Sequence, residues 1–247
     1  MLKVLDLFSG IGGFSLGLER TGGFETAAFC EIEEFPRKVL AKHWPNIYIH
    51  DDIRTLDGKQ YRGAIAVVCG GFPCQDLSVA GNQGGITAER SGLWAELCRI
   101  ISEVRPKYAI VENVPNLLAG QRGAWFGRVL GDLAEIGYDA EWHCIPASYV
   151  GRPHIRDRVW VVAYPREKRG QRCISESLQR QLPLQRGENG RGLKSWRERS
   201  DLHAPRLCGV GDGIPNRVDR TACCGNAVVP QIPELIGRAI LEHEATH

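Results

Sequence analysis

Short apolar runs recur along this chain, separated by segments in which apolar residues return every three or four positions. The runs Val4–Phe8, Thr26–Cys30, Ile47–His50, Ile65–Cys69, Tyr108–Val111, Ala140–Cys144 and Val159–Tyr164 have the lengths of strands, and most are rich in β-branched and aromatic residues. Between them, Leu93–Val104 and Trp125–Ile136 carry the helical period, and Gln231–Glu244 reads as a final amphipathic helix. Strands alternating with helices predict a layered α/β, Rossmann-like fold: a mixed, mostly parallel sheet flanked by helices. Chemistry in such sheets gathers outside the C-terminal ends of the strands. After Tyr164 the pattern gives way to polar sequence rich in Gly, Pro and Arg, and it resumes near Gly225. We therefore expect one unit built from residues 1–164 and 223–247, with 165–222 forming a small separate lobe or a long insertion.

Composition narrows the class. The 247 residues, 43% hydrophobic and 24% charged, suffice for one substantial core and a small second lobe. No apolar run approaches the roughly 20 residues that cross a bilayer. The chain enters strand-like sequence at Val4 without a charged leader and apolar segment, so a soluble cytoplasmic protein with no membrane contact is expected. Nine cysteines, an odd number with no C-x-x-C pair, point to reduced thiols and no bound metal. Adjacent Cys223 and Cys224 do not change this, because neighbouring residues rarely share one ion. Between Pro165 and Ser200, ten basic residues face four glutamates, a balance of +6 that leaves −4 for the rest of a chain whose total is +2. That asymmetry suggests a polyanion partner; a solvated insert fits the same composition.

Candidate chemistry falls at the ends of the runs. Gly10-Ile11-Gly12-Gly13 follows the first run and opens a helix, as a turn that brings backbone close to a ligand does. Position 15 is Ser where a dinucleotide turn wants its third glycine, so a cofactor without a pyrophosphate fits better than a nicotinamide dinucleotide. Glu31 ends the second run 19 residues after Gly12, where an acid reaches ribose hydroxyls; a solvated glutamate beside Glu33 and Glu34 is the other reading. The fourth run leads into Gly71-Phe72-Pro73-Cys74-Gln75, which presents one thiol at a strand end. The fifth leads into Glu112-Asn113-Val114, a carboxylate that is costly after an apolar strand unless it finds a partner and whose pKa burial should raise. Arg156 and Arg158 precede the last run and share a face.

Taken in order, Asp6–Gly13, Gly71–Gln75, Glu112–Val114, Arg156–Arg158 and Gly225–Pro230 resemble the DNA (cytosine-5)-methyltransferase family, in the manner of its compact phage-type members. The resemblance covers nearly the whole chain outside about 165–222 and implies S-adenosyl-L-methionine as cofactor. By matching, Phe8, Ser9, Gly10, Ile11, Gly12 and Gly13 line that cofactor, with Ile32, Gly70, Pro73, Leu93, Asn226 and Val228 completing the pocket. Glu31 would hold the ribose, and Asp52 with Ile53 the adenine; Asp51 is a neighbouring candidate.

The same matching makes Cys74 the nucleophile at cytosine C6, Glu112 the acid at N3, and Arg158, beside Arg156, the donor to O2. The base must leave the duplex to be reached. Gly81–Gly85 is either a closing loop or an ordinary surface loop. Gln75, Ser78, Gly81 and Arg90 are expected at double-stranded DNA, as are Arg217 and Arg220 from the short recognition region. His154 stands where many relatives have Gln. No side chain is an obvious base for the C5 proton, and ordered water is expected to remove it. The resemblance further implies a monomer, whose activity does not require any cognate restriction endonuclease. A tRNA cytosine-5 methyltransferase and a non-catalytic nucleic-acid-binding protein of this fold are the rival readings; a nicotinamide dehydrogenase is disfavoured by the glycine spacing.

Overall fold

Seven strands make one sheet in the computed structural model, which describes residues 1–72, 92–152, 156–168, 174–181 and 225–246. The strands are β1 (Leu2–Leu7), β2 (Phe24–Cys30), β3 (Tyr48–His50), β4 (Val67–Gly71), β5 (Tyr108–Asn113), β6 (Tyr138–Pro146) and β7 (Asp157–Pro165), in the order β3-β2-β1-β4-β5-β7-β6. β1 to β5 pair in parallel, whereas β7 runs antiparallel to both β5 and β6. Each predicted run is a strand, and the sheet is mixed and mostly parallel as expected. Chain order reverses between β1 and β4, so the segments leaving those two strands diverge and open a crevice at their C-terminal ends. Because β7 is reversed, its first residues, rather than its last, lie at that same edge.

Both faces of the sheet are covered, which explains why the parallel strands read as nearly unbroken apolar runs. On one face, Leu5, Leu7, Val68 and Val111 pack against helices α3 (Gly92–Val104) and α5 (Ala124–Glu135) through Trp94, Leu97, Ile101, Val129 and Leu133. On the other, Val4, Val67, Ile110, Trp160 and Val162 meet Phe14 and Leu18 of α1 (Gly13–Glu19), with Ile232, Ile236 and Ile240 of the last helix. Short helices α2 (Glu34–His43) and α4 (Asn116–Ala119) connect strands at the rim.

Within the stretch read as polar, Ile174–Gln181 forms helix α6, and the final helix α7 spans Gln231–Thr246. Ile174 and Leu178 are buried in the same apolar cluster as α1 and α7. Two apolar residues four apart among polar neighbours make a narrow stripe, which the composition of the surrounding sequence hides. Its start is tied to the sheet by Glu141 on β6, whose Oε2 accepts the Ser175 hydroxyl at 2.6 Å and the Ser175 amide at 3.2 Å. Among the described residues no helix is long and apolar enough to cross a membrane.

Candidate active site

The turn after β1 is built by backbone conformation and by buried carboxylates. Phe8, Gly10 and Gly12 have φ of 51°, 52° and 84°, left-handed values that suit glycine and strain phenylalanine. Ser9 donates its hydroxyl to the Asp6 carbonyl at 2.6 Å, and the Gly12 amide donates to the Ser9 carbonyl at 2.8 Å. A Cβ on Gly10 would meet nothing within 4 Å, so this part of the turn faces open space. A Cβ on Gly13 would lie 2.6 Å from the Val228 carbonyl oxygen, and one on Gly17 would lie 2.1 Å from that of Pro230. These two glycines therefore admit the segment leading into α7 against α1, which brings the C-terminal motif to the N-terminal turn.

Glu31, one residue past β2, is buried at 7% exposure. Its Oε2 accepts the Gly10 amide at 2.6 Å and its Oε1 the Glu33 amide at 2.8 Å. Burial pushes its carboxyl above the usual range while these amides pull the other way. Beside it Ile32 is 58% exposed, a large apolar side chain left in solvent. Asp52 follows β3, but its carboxylate is engaged by Arg54, at 2.7 Å from Nη2 and 3.0 Å from Nε, which holds it below its ordinary pKa. Ile53 is buried in the core, Leu93 packs partly against it, and Gly70 sits within β4. Asn226 is exposed, while Val228 packs on the α1–α7 side.

The second half of the site is at the end of β5. Glu112 pairs in register with Gly71 on one side and Trp160 on the other. A Cβ on Gly71 would lie 2.9 Å from Glu112 Oε2, so glycine there leaves room for the carboxylate. Arg158 reaches from the reversed strand β7 and places Nε 2.9 Å from Glu112 Oε1, with side chains 21% and 12% exposed. Burial raises the Glu112 pKa, as the sequence predicts, and the charges of Arg158 and Arg156 oppose the rise. Arg156 shares that face, donates to the Gly225 carbonyl, and has its own pKa lowered by burial and by Arg158.

Pro73, Cys74, Gln75, Ser78, Gly81, Arg90, His154, Arg217 and Arg220 lie outside the described residues. The chain reaches Cys74 two positions after Phe72, whose carbonyl accepts a bond from Asn113 Nδ2 at 3.2 Å. Asn113 is buried and also takes the Val114 amide on its Oδ1 at 2.8 Å. It thus ties the end of β5 to the segment leaving β4, a role the sequence reading leaves unassigned. Asp6 is a second such residue. It is fully buried on β1, and its Oδ2 accepts the Ser15 hydroxyl at 2.7 Å and amide at 3.2 Å. Burial pushes the Asp6 carboxyl up to about 7, against the pull of the Ser15 bonds. An acid inside an otherwise apolar strand was the available signal in the sequence, since such a group is retained only with partners. Among the described residues, no three or more His, Cys, Asp or Glu side chains gather as metal ligands would.

Comparison with known proteins gives the chain a family and a set of relatives. The family described as C-5 cytosine-specific DNA methylase matches residues 2–203. The type II methyltransferase M2.BsuMI of Bacillus subtilis is 39% identical over 166 residues, which cover 66% of this chain and 42% of that protein. M.Sau3AI of Staphylococcus aureus is 35% identical over 191 residues, 71% of this chain and 46% of that protein. This chain thus spans less than half the length of these relatives. Among solved structures, a putative DNA modification methyltransferase encoded within an Escherichia coli prophage superposes with a TM-score of 0.61 at 26% identity, over 74% of this chain and 51% of that one. The Dnmt2 methyltransferase of S. pombe, at TM-score 0.59 and 21% identity over 77% of this chain and 57% of that one, shares the fold.

Proposed function

Because the chain belongs to the C-5 cytosine-specific DNA methylase family, we propose that it transfers a methyl group from S-adenosyl-L-methionine to C5 of a cytosine flipped out of double-stranded DNA. The observation that carries this reading is the Glu112–Arg158 pair, 2.9 Å apart, at the sheet edge that also bears the Gly10–Gly13 turn and the segment running into Cys74. A strand end has no structural need for a buried acid, a matched arginine and a thiol in sequence with them.

The residues present fit a nucleoside cofactor. The turn is open at Gly10, the amide beside that opening is fixed by Glu31, and exposed Ile32 offers an apolar surface. When bound, S-adenosyl-L-methionine supplies a methyl group made electrophilic by its sulfonium. Phe8–Gly13, Glu31, Ile32, Asp52, Ile53, Gly70, Pro73, Leu93, Asn226 and Val228 are assigned to hold it. For Asp52 this requires sharing its carboxylate with Arg54 or releasing it.

Cytosine C5 is a weak nucleophile until a bond forms at C6. The Cys74 thiolate is assigned that attack, which makes the S–C6 bond and drives ring electrons towards N3. Glu112, whose proton affinity burial raises, is assigned to donate at N3 and so hold the charge that develops there. Arg158 donates to O2 while keeping Glu112 in place. Once the methyl group has passed to C5, loss of the C5 proton to water restores the C5–C6 double bond and expels the Cys74 thiolate, while N3 returns its proton to Glu112. The basic 165–222 region, with Gln75, Ser78, Gly81 and Arg90, is assigned to the duplex, its charge suited to phosphates.

Trapping with DNA that carries 5-fluorocytosine tests the reading, because fluorine cannot leave as the C5 proton does. In the presence of S-adenosyl-L-methionine, a denaturant-stable complex mapped to Cys74 is expected. An adduct on tRNA and none on mixed-sequence DNA would transfer the proposal to RNA, and none on either would leave a binding protein of this fold.

A further inference from the structure

We propose that Trp44 is a positioning residue for the glycine turn: its indole, tied to Glu19, backs Gly12 and so sets the affinity of the turn for its cofactor. The proposal rests on reading that turn as the cofactor site.

Trp44 caps the C-terminal end of α2, far from the turn in sequence, and its amide donates to the Leu40 carbonyl at 2.7 Å. Its ring nevertheless reaches the turn. A Cβ on Gly12 would lie 2.6 and 2.7 Å from Trp44 Cζ3 and Cη2, and 3.1 Å from Leu40 Cδ2. The Gly12 backbone therefore rests directly on the indole. The ring is fixed on other sides: its Nε1–H donates to Glu19 Oε2 at 3.0 Å, and Phe29 meets it edge-on with centroids 5.2 Å apart. Glu19 is itself anchored, since its Oε1 accepts the amide and hydroxyl of Thr26 on β2.

Gly12 needs such a support. It is the N-cap of α1, has a left-handed backbone, and gives the helix no side-chain cap. Backbone bonds tie it along the chain, from its amide to the Ser9 carbonyl and from the Leu16 amide to its carbonyl, and the indole adds support from the side. Two residues upstream, the Gly10 amide must stay within bonding distance of Glu31. A shift of Gly12 into the space left by a missing ring would carry that amide with it. Trp44 is half-buried and stands outside both apolar clusters, unlike fully buried Trp94 and Trp160. Its removal should thus register more in ligand affinity than in stability.

Calorimetric titration of the full chain with S-adenosylhomocysteine, alongside melting curves without ligand, tests this. Trp44→Ala is expected to weaken binding about tenfold, while Trp44→Phe, which keeps a ring against Gly12, stays within about threefold. Glu19→Gln, which cannot satisfy both Trp44 and Thr26, should fall between them. In Gly12→Ala the new methyl meets the indole, so combining it with Trp44→Ala should give a loss smaller than the sum of the two. Unchanged affinity in folded Trp44→Ala or Glu19→Gln, or strict additivity in the double variant, would overturn the role of Trp44 alone. Failure of the unmodified protein to bind would overturn the cofactor reading, and this proposal with it.

Discussion

Glu31 and Glu112 each sit at or just past the end of a parallel strand, and burial pushes both carboxyls up, yet opposite chemistry holds them. Glu31 is held by two backbone amides, neutral donors whose positions are set by the turn. Glu112 is held by the guanidinium of Arg158, a side chain from β7 carrying full charge. An amide pair makes a fixed acceptor, as suits a ligand held in one orientation. An arginine partner makes a carboxyl whose proton affinity depends on where that arginine goes. A ligand that draws charge from Arg158 would raise the proton affinity of Glu112, whereas the amides on Glu31 stay where the turn sets them. The two acids are thus held by different means, fixed backbone amides at Glu31 and a charged side chain at Glu112.

Substitutions that separate the halves test this contrast. Cys74→Ser should abolish turnover in a tritiated-methyl assay while calorimetry still finds S-adenosylhomocysteine binding; lost binding would contradict the division of the crevice. Glu112→Gln should lower kcat about 10²–10⁴-fold, the range for a removed general acid, with cofactor affinity little changed. Glu31→Ala should do the reverse, weakening cofactor affinity about tenfold or more with a smaller effect on kcat. Equal losses in both parameters for both variants would erase the distinction.

Asp6 sharpens the comparison through pH. Its carboxyl, raised from 3.8 to about 7 by burial, keeps its proton in the folded protein while the unfolded chain ionises. The stability it contributes is therefore full below about pH 4 and is lost as pH rises through about 7. Glu31 and Glu112 shift in the same sense. The melting temperature should fall between pH 5 and pH 8, and Asp6→Asn should fall less over that window. Parallel curves would show that Asp6 is ionised in the fold.

Smallest in effect, Arg158→Lys should preserve the ion pair yet lose the planar fork, reducing kcat more than it reduces stability. A change confined to melting temperature would make Arg158 a structural partner of Glu112 only.

Much of this was legible in the sequence because it is local. Short apolar runs and a 3.6-residue period fix strands and helices, and the motifs at Gly10–Gly13, Glu31, Cys74 and Glu112 followed runs that a parallel sheet must end at one edge. The burial-raised pKa of Glu112 followed from an acid closing an apolar strand. Helix α6 was not legible, because two apolar residues suffice for an eight-residue helix already backed by α7, and composition averages them away. Asp52 illustrates the same limit from the other side, since its spacing after β3 says nothing of Arg54 two residues on folding back to engage it.

The sequence by itself determined the α/β class, the order of the motifs and the edge on which they fall, because each depends on neighbours along the chain and on the direction of strands. Only the tertiary structure decided which side chains meet: Glu31 with the Gly10 amide, Glu112 with Arg158, Asn113 with the Phe72 carbonyl, Trp44 with Gly12. Those contacts join residues tens of positions apart, and strand order, the reversal of β7 and close packing between layers set their distances, none of which leaves a periodic trace in the sequence.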